Sequence, residues 1–484
     1  MKSTFRQNRS SQFRWFPHTA QSFARAKAEG KLVLVDLDAE WCFWCRKMEQ
    51  ETYFHPEVKA YILKHFIPIR VDADREPELR ARYLKRGFPG YAVLTPDRRI
   101  LFRGSGFLVA EDFLDLLRDI RAGKLNEQSE WADEMALRRE LEMEEKSQQA
   151  RLSRVPETFA RELKSRFDHQ HAGFLTEGYA AEEAAKYPLG RTLIFLLTYS
   201  RRAHDPAVRL MTRKSLNAVL EHLWDAQGGG FYRYAERTDW SVPHTEKVLR
   251  TQVRMLYTLA LAYQLFKENH YQNWYLKTRQ YLFQRLFEAS SGKIYGFERA
   301  HGGGVARTVF VDQAGEAVCT FFRLSKLTGD ATLAETAQKA LTFLKSHLFS
   351  EKKGLSHYFE NGRALGEASF ADYAWYLAAL SASMPFTGNE AISADIARVL
   401  DAVSTRFQDQ LRQPQTLSPA WIIMRVHFHL FRITGNEKHL QQARELAERL
   451  LPLLETSSEY AFQDALHLEA KAGYALGIME LQEA

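Results

Sequence analysis

The chain has 484 residues, more than a single ordinary domain holds, and its 45% hydrophobic and 26% charged residues are those of a chain able to bury a large core. The net charge of +6 is a small excess of 66 basic over 60 acidic residues with no basic block, which argues against a nucleic-acid partner; no run of 18 apolar residues is present, which argues against a membrane span. Three cysteines, Cys42, Cys45 and Cys319, are too few for a secreted disulfide scaffold, and the basic N-terminus lacks the apolar core of a signal peptide, so the expected location is cytoplasmic, with one cysteine pair doing chemistry.

In chain order, residues 1–20 read as a polar extension and residues 21–30 as a helix stopped by Gly30. The apolar run Leu32–Val35 predicts a buried strand that hands over to a helix at Cys42-Phe43-Trp44-Cys45. A cysteine at a helix start meets unpaired N–H groups and the positive end of the helix dipole, which favour its thiolate. Cys42 is therefore the expected attacking sulfur and Cys45 the resolving one, with Arg46 adding positive charge. A helical region continues to about Lys64, interrupted near Pro56; Ile67–Val71 reads as a second strand and Glu78–Lys85 as a helix. Strands Tyr91–Leu94 and Ile100–Arg103 flank the Pro96-Asp97 turn, and a helix over Glu111–Ile120 closes the unit.

This order of elements predicts a compact α/β unit over residues 21–122, and it resembles a thioredoxin domain. Asp36 falls six residues before Cys42, Trp41 immediately precedes it, and Phe88-Pro89 opens the third strand. The resemblance implies that Asp36 is a buried acid exchanging a proton with the resolving cysteine, that Trp41 borders the site and that Pro89 is a cis-proline facing the disulfide. A buried carboxylate near a thiol can do this because burial raises its pKa. The Phe43-Trp44 interior replaces the Gly-Pro of thioredoxin itself, which alters the expected redox poise.

Residues 123–155 are rich in Glu, Arg and Lys with sparse apolar points, and read as a charged helical linker. From 156 to 484 helical hairpins repeat, with turns at Asp205, His270, Asp330, Asn389 and Asn436 spaced 65, 60, 59 and 47 residues apart. Five hairpins and the helix Ala461–Met479, half of a sixth, predict an all-α (α/α)6 toroid, with an open solenoid as the alternative.

The stretch Gln227–Lys247 concentrates chemistry: Phe231, Tyr232, Tyr234 and Trp240 offer flat faces for sugar rings, and Arg233, His244, Glu246 and Lys247 offer ionisable groups. Asp312, Glu316 and Asp372 near later helix starts are candidates for the same mouth, although an acid at a helix start is commonly a cap. No zinc-spaced Cys/His cluster and no phosphate or dinucleotide fingerprint is present, so neither a metal nor a cofactor is expected.

Taken together, the cysteine motif with its internal tryptophan, the charged bridge, Phe167-Asp168 with Gly173-Phe174, Lys186-Tyr187-Pro188, Gly228–Phe231 with Arg233-Tyr234, and Val242-Pro243-His244 with Glu246-Lys247 resemble the YyaL-type thioredoxin-domain family, which includes relatives of the spermatogenesis-associated thioredoxin protein. That resemblance implies a thioredoxin-like domain followed by a six-hairpin α/α barrel of the glycosidase and epimerase type. The chain departs from the family at Phe43 and Arg46, where histidines are common, and at Thr251-Gln252, where the family tends to carry Asp-Asn. Three functions are in competition. The first is a thiol–disulfide oxidoreductase acting on protein thiols or disulfides, fed by a thioredoxin reductase-type electron donor, with the barrel selecting substrate. The second is a carbohydrate-binding epimerase or hydrolase barrel with a regulatory redox unit, and the third is an interaction scaffold.

Overall fold

The computed structural model describes residues 14–40, 42–84, 88–124, 148–175, 184–387, 389–412, 414, 417, 419–454 and 461–483. Two units emerge, Met1–Glu145 and Lys146–Ala484. Most of the charged stretch read as a linker, 125–147, lies outside the described residues.

In the first unit, α1 (Ala20–Ala28) leads into β1 (Leu32–Asp38), whose sequence LVLVDLD is buried from Val33 onward. After β1 come α2 (Phe43–Met48), extended by a π-helical turn over Glu49–Tyr53, and α3 (Pro56–His65), with Pro at its first position where no N–H is needed. Then follow β2 (Phe66–Asp72), α4 (Pro77–Tyr83), β3 (Gly90–Leu94), β4 (Ile100–Ser105) and α5 (Ala110–Arg121).

The strand order is β2-β1-β3-β4, with β1 parallel to β2 and antiparallel to β3, and β3 antiparallel to β4. Because side chains alternate along a strand, β1 supplies both cores. Leu34 packs with Tyr53, Ile62 and Phe113 on one face, and Val33, Val35 and Leu37 pack with Phe23 and Tyr83 on the other. Pro68 cannot donate to a ladder, and β2 is accordingly the outer strand of this sheet, with Phe16 alone bridging its far edge at Ile69.

In the second unit, six described helices form an inner ring: Gly190–Ala203, Leu249–Phe266, Val311–Thr328, Phe370–Ser383, Ala420–Thr434 and Ala461–Leu481. Each packs on the next and the last packs on the first, so the ring closes. Outside them, Pro206–His222, Asn269–Tyr281, Ala331–His347, Asn389–Arg406 and Glu437–Leu450 each fold back on the inner helix before them. The sixth outer helix, Gln148–Ser165, begins within the charged stretch and packs against Ala461–Leu481.

Asp205, Asp330 and Asn436 accept hydrogen bonds from the first N–H groups of the helices they precede, and Gly329 and Gly435 end inner helices at φ +77° and +68°. Gly315 lets the third and fourth inner helices touch, since a Cβ there would lie 2.8 Å from the Trp375 backbone.

Between helices the loops carry short β pairs. The largest is a hairpin, Gly354–Glu360 with Arg363–Glu367, turned by Asn361 and Gly362 at φ +51° and +79°. That Asn-Gly pair is the residue pair a two-residue hairpin turn requires. Among the described residues no helix is long and apolar enough to cross a membrane, and no group of three or more His, Cys, Asp or Glu is placed to hold a metal ion.

Candidate functional site

Cys42 is the N-cap of α2, and its sulfur accepts the Cys45 N–H at 3.0 Å. The two cysteines are joined in a disulfide and are 2% and 4% exposed, packed among Ala39, Trp44 and Phe88. The Phe88-Pro89 peptide is cis, and the Pro89 carbonyl accepts the Gly106 N–H at 2.8 Å. Trp44 packs on Phe107 with ring centroids 5.5 Å apart, and the Lys47 ammonium lies 4.9 Å above the Trp44 ring. Arg46 donates to the Glu40 carbonyl at 3.0 Å, on the turn that precedes the motif. Phe43 opens the helix, and Trp41 lies outside the described residues.

Asp36 is buried on β1, directly opposite Arg70 on β2. It accepts from Arg70 Nε at 2.8 Å and from the Tyr53 hydroxyl at 3.1 Å. The same guanidinium reaches Glu49 at 2.6 Å and Asp38 at 3.9 Å, so three carboxylates share one cation. Burial raises the pKa of Asp36 against the pull of Arg70, and it pushes Asp38 up to about 7. The Cys45 sulfur lies 4.0 Å from the Leu37 carbonyl oxygen, on the residue between the two acids. Arg70, Asp38, Glu49 and Tyr53 were not singled out from sequence. The signal was an arginine inside an apolar strand, which needs an acid partner, and a second Asp two positions along β1 on the same face as the first.

The toroid candidates separate into groups. In one, Tyr234 stacks between Tyr187, at 5.0 Å, and His244, at 4.2 Å. His244 Nε2 lies 2.8 Å from Glu236, and its Nδ1 lies 3.9 Å from Glu246. Arg233 reaches Glu246 at 3.4 Å and lies over the Tyr234 ring. Burial lowers the pKa of His244, although both carboxylates favour its charged form. This group joins Arg233, Tyr234, His244 and Glu246 and adds Glu236 and Tyr187.

Lys247 and Trp240 go elsewhere. Lys247 pairs with Asp225 at 2.7 Å and lies over the Tyr232 and Tyr281 rings. Trp240 is buried, donates to the His171 carbonyl at 2.8 Å, and carries the Lys186 ammonium over its ring. Lys186 in turn pairs with Asp168 at 2.7 Å.

Asp312 and Glu316 enter an ionic layer inside the ring. Arg250 pairs with Asp312; Glu316 accepts from Arg191 and from Arg254 Nε at 2.7 Å; Glu469 accepts from the Arg191 backbone N–H at 2.9 Å and lies 3.4 Å from the Arg254 guanidinium. Burial opposes ionisation of Glu316, yet Arg254 and Arg191 hold its pKa down to about 2; burial raises that of Glu469. Matched spacing foreshadows this layer: Arg250 and Arg254 hold the same positions on the second inner helix as Asp312 and Glu316 on the third. Asp372 is in a capping box with Ser369, and it also accepts from the Asp312 N–H at 3.1 Å and faces His357 Nδ1 at 2.8 Å.

Residues 2–136 match the family described as "Protein of unknown function, DUF255", named Thioredox_DsbH. The chain is similar to spermatogenesis-associated protein 20 of Homo sapiens, 24% identical over 307 residues, 57% of this chain and 38% of that protein. It thus spans about two-fifths of that relative's length.

Among solved structures, cellobiose 2-epimerase from Spirochaeta thermophila aligns with TM-score 0.58 and 13% identity over 69% of this chain and 98% of its own. A family 76 glycoside hydrolase from Bacteroides thetaiotaomicron aligns with TM-score 0.54 and 12% identity over 69% and 78%. At that identity the likeness is one of fold. The chain joins a thioredoxin-like first unit, similar to the DUF255 family, to a mostly helical unit with the α/α toroid fold of six-hairpin glycosidases and sugar epimerases.

Proposed function

We propose that the protein is a thiol–disulfide oxidoreductase whose reacting atoms are the Cys42 and Cys45 sulfurs. The observation that carries this reading is the Cys42–Cys45 disulfide at the start of α2, in the same cluster as Phe88 of the cis Phe88-Pro89 peptide. In the reduced form, the Cys42 thiolate attacks one sulfur of a substrate disulfide, forming a mixed disulfide and releasing one substrate thiol. The Cys45 thiolate then attacks the Cys42 sulfur, which restores the protein disulfide and releases the second thiol. Two electrons pass to the substrate, and a dithiol donor of the thioredoxin-reductase-fed type returns them.

The N–H of Cys45, already directed at Cys42, supports a negative sulfur there. Asp36 and Asp38, whose pKa values burial raises against the pull of a single shared Arg70, provide the proton store for the resolving step in this reading. In this reading the toroid selects the substrate, and protein thiols or disulfides in a reducing, cytoplasmic compartment are the partners.

A Cys45→Ser variant tests the reading. It should accumulate mixed disulfides through Cys42, and Cys42→Ser should abolish turnover of a protein disulfide. If Cys42→Ser reduces the substrate as fast as the unaltered protein, the reading fails.

A second reading, carbohydrate binding by the toroid, is favoured by one observation: His244 is held by Glu236 and stacked on Tyr234. Calorimetric titration with a panel of saccharides, repeated on His244→Ala, tests it; no heat from any sugar with the unaltered protein ends it.

A further inference from the structure

Besides the ionic layer, the inside of the ring holds a second polar space with a different charge balance. Trp375 and Trp421 meet edge to face at 5.8 Å, and Arg191 of the ionic layer lies over both rings, 5.5 and 4.7 Å from their centroids. Both tryptophans also border a cavity of about 20 Å³ lined by Cys319, Arg323, Ser381, Arg425 and His429. That volume holds about one sphere of the size of a water molecule.

Helical spacing builds the lining. Cys319 and Arg323 stand one turn apart on the third inner helix, Ser381 is on the fourth, and Trp421, Arg425 and His429 occupy successive turns of the fifth.

Donors outnumber acceptors around this space. Arg425 is ion-paired with Glu480. His429 Nδ1 meets the Ser381 hydroxyl at 2.6 Å, and burial together with Arg323 lowers its pKa to about 4, so the imidazole is neutral near pH 7. Arg323 makes no ion pair among the described residues. Trp421 is 2% exposed, and its indole N–H has no acceptor. Two guanidiniums stand against one carboxylate, Glu480, with the Cys319 thiol another group that favours the Arg323 charge, and the exposed Lys326 adds to the positive side. A buried donor left unmet costs about 1–3 kcal/mol. A neutral water would serve the indole alone; an anion would serve both the indole and the half-buried Arg323 guanidinium.

We propose that this cavity binds one small monovalent anion of halide size, held by the Arg323 guanidinium and the Trp421 indole N–H. Oxyanions such as sulfate are too large for it. Thermal unfolding of the full chain in sodium bromide, exchanged against sodium glutamate at constant ionic strength, should show a rise in Tm that saturates with bromide, following the linkage of a bound ligand to stability. Arg323→Gln should lose the saturable rise. Because that variant could fail to fold, crystals of the unaltered protein grown in bromide give an independent reading: an anomalous peak is expected in the cavity within reach of Trp421 Nε1. Superimposable curves in the two salts, a saturable rise that persists in Arg323→Gln, or a cavity without an anomalous peak would each overturn the proposal.

Discussion

The two units each hold a charge cluster made of the same residue types in different proportion, an excess of acids in the first and a balanced set in the second. In the thioredoxin-like unit Asp36, Asp38 and Glu49 converge on Arg70 alone. In the toroid Arg191, Arg250 and Arg254 face Asp312, Glu316 and Glu469. Burial of Asp38, with Asp36 and Glu49 nearby, outweighs the pull of the one guanidinium, so Asp38 retains a proton up to about pH 7. Three guanidiniums can hold a central carboxylate ionised, and Glu316 is depressed to about 2. Under burial an acid surplus retains a proton, whereas a balanced set ties neighbouring helices together.

The clamp should be the costlier to break. Glu316 touches Arg191 from the first inner helix and Arg254 from the second, so Glu316→Ala leaves two buried guanidiniums short of a partner. The expected loss is about 3–5 kcal/mol of toroid stability, the range for breaking a buried ion pair. Urea denaturation followed by a probe confined to residues 190–481 measures it. A loss under about 1 kcal/mol, the range of surface pairs, would mean that the layer is not a clamp.

The same contrast predicts opposite responses to pH. Asp38 has a folded pKa of about 7 against an ordinary 3.8, so between those values the folded state binds the extra proton and stability falls as pH rises. Asp72, raised to about 8 by burial and Asp74, acts in the same direction. In the toroid His427 and His429 are lowered to about 3 and 4, chiefly by burial. There the unfolded state binds the extra protons, and stability falls as pH drops below about 6.5, with Glu469, which burial raises, acting in the opposite direction. Acidification from pH 8 to 5 should therefore stabilise the first unit and destabilise the second, as read by pulse proteolysis with fragments assigned to each unit. Asp38→Asn should flatten the first response by up to roughly 3 kcal/mol, the linkage of one group over the two pH units between about 7 and 5. An unchanged slope would place the stored proton on another group.

How far these features were legible follows from how local they are. The β1 run, the cysteine motif, Asp36 and Pro89 lie in continuous sequence with fixed spacing, and helical hairpins announce themselves by Thr-Gly-Asp and Thr-Gly-Asn turns. Ring closure was not legible in the same way. The sixth outer helix hides its apolar points in charged sequence, and its partner lies far along the chain, where Lys471 meets Glu162 at 3.0 Å. Charge clusters are likewise tertiary: Glu246 and Lys247 are neighbours in sequence, yet one serves Arg233 and the other Asp225. The hairpin at Asn361-Gly362 carried its turn signal, but within a stretch dominated by helical periodicity.

The smallest expected effect concerns Asp372, where a cap and a ligand-facing acid make different demands. Its two oxygens already accept from the Ser369 N–H and hydroxyl, both at 2.7 Å, and from the Asp312 N–H at 3.1 Å, while His357 lies 2.8 Å away. A carboxylate so occupied stabilises the start of an inner helix, and a substrate would have to displace one of these partners. Ser369→Ala removes one donor to Asp372 and the cap on the helix N–H, for an expected loss of about 1 kcal/mol, seen as a lower urea midpoint. If Asp372 is only a cap, saccharide titrations of Ser369→Ala and of the unaltered protein should coincide. A variant that lost no stability but changed a binding isotherm would make Asp372 part of a ligand site and move the toroid from clamp to receptor.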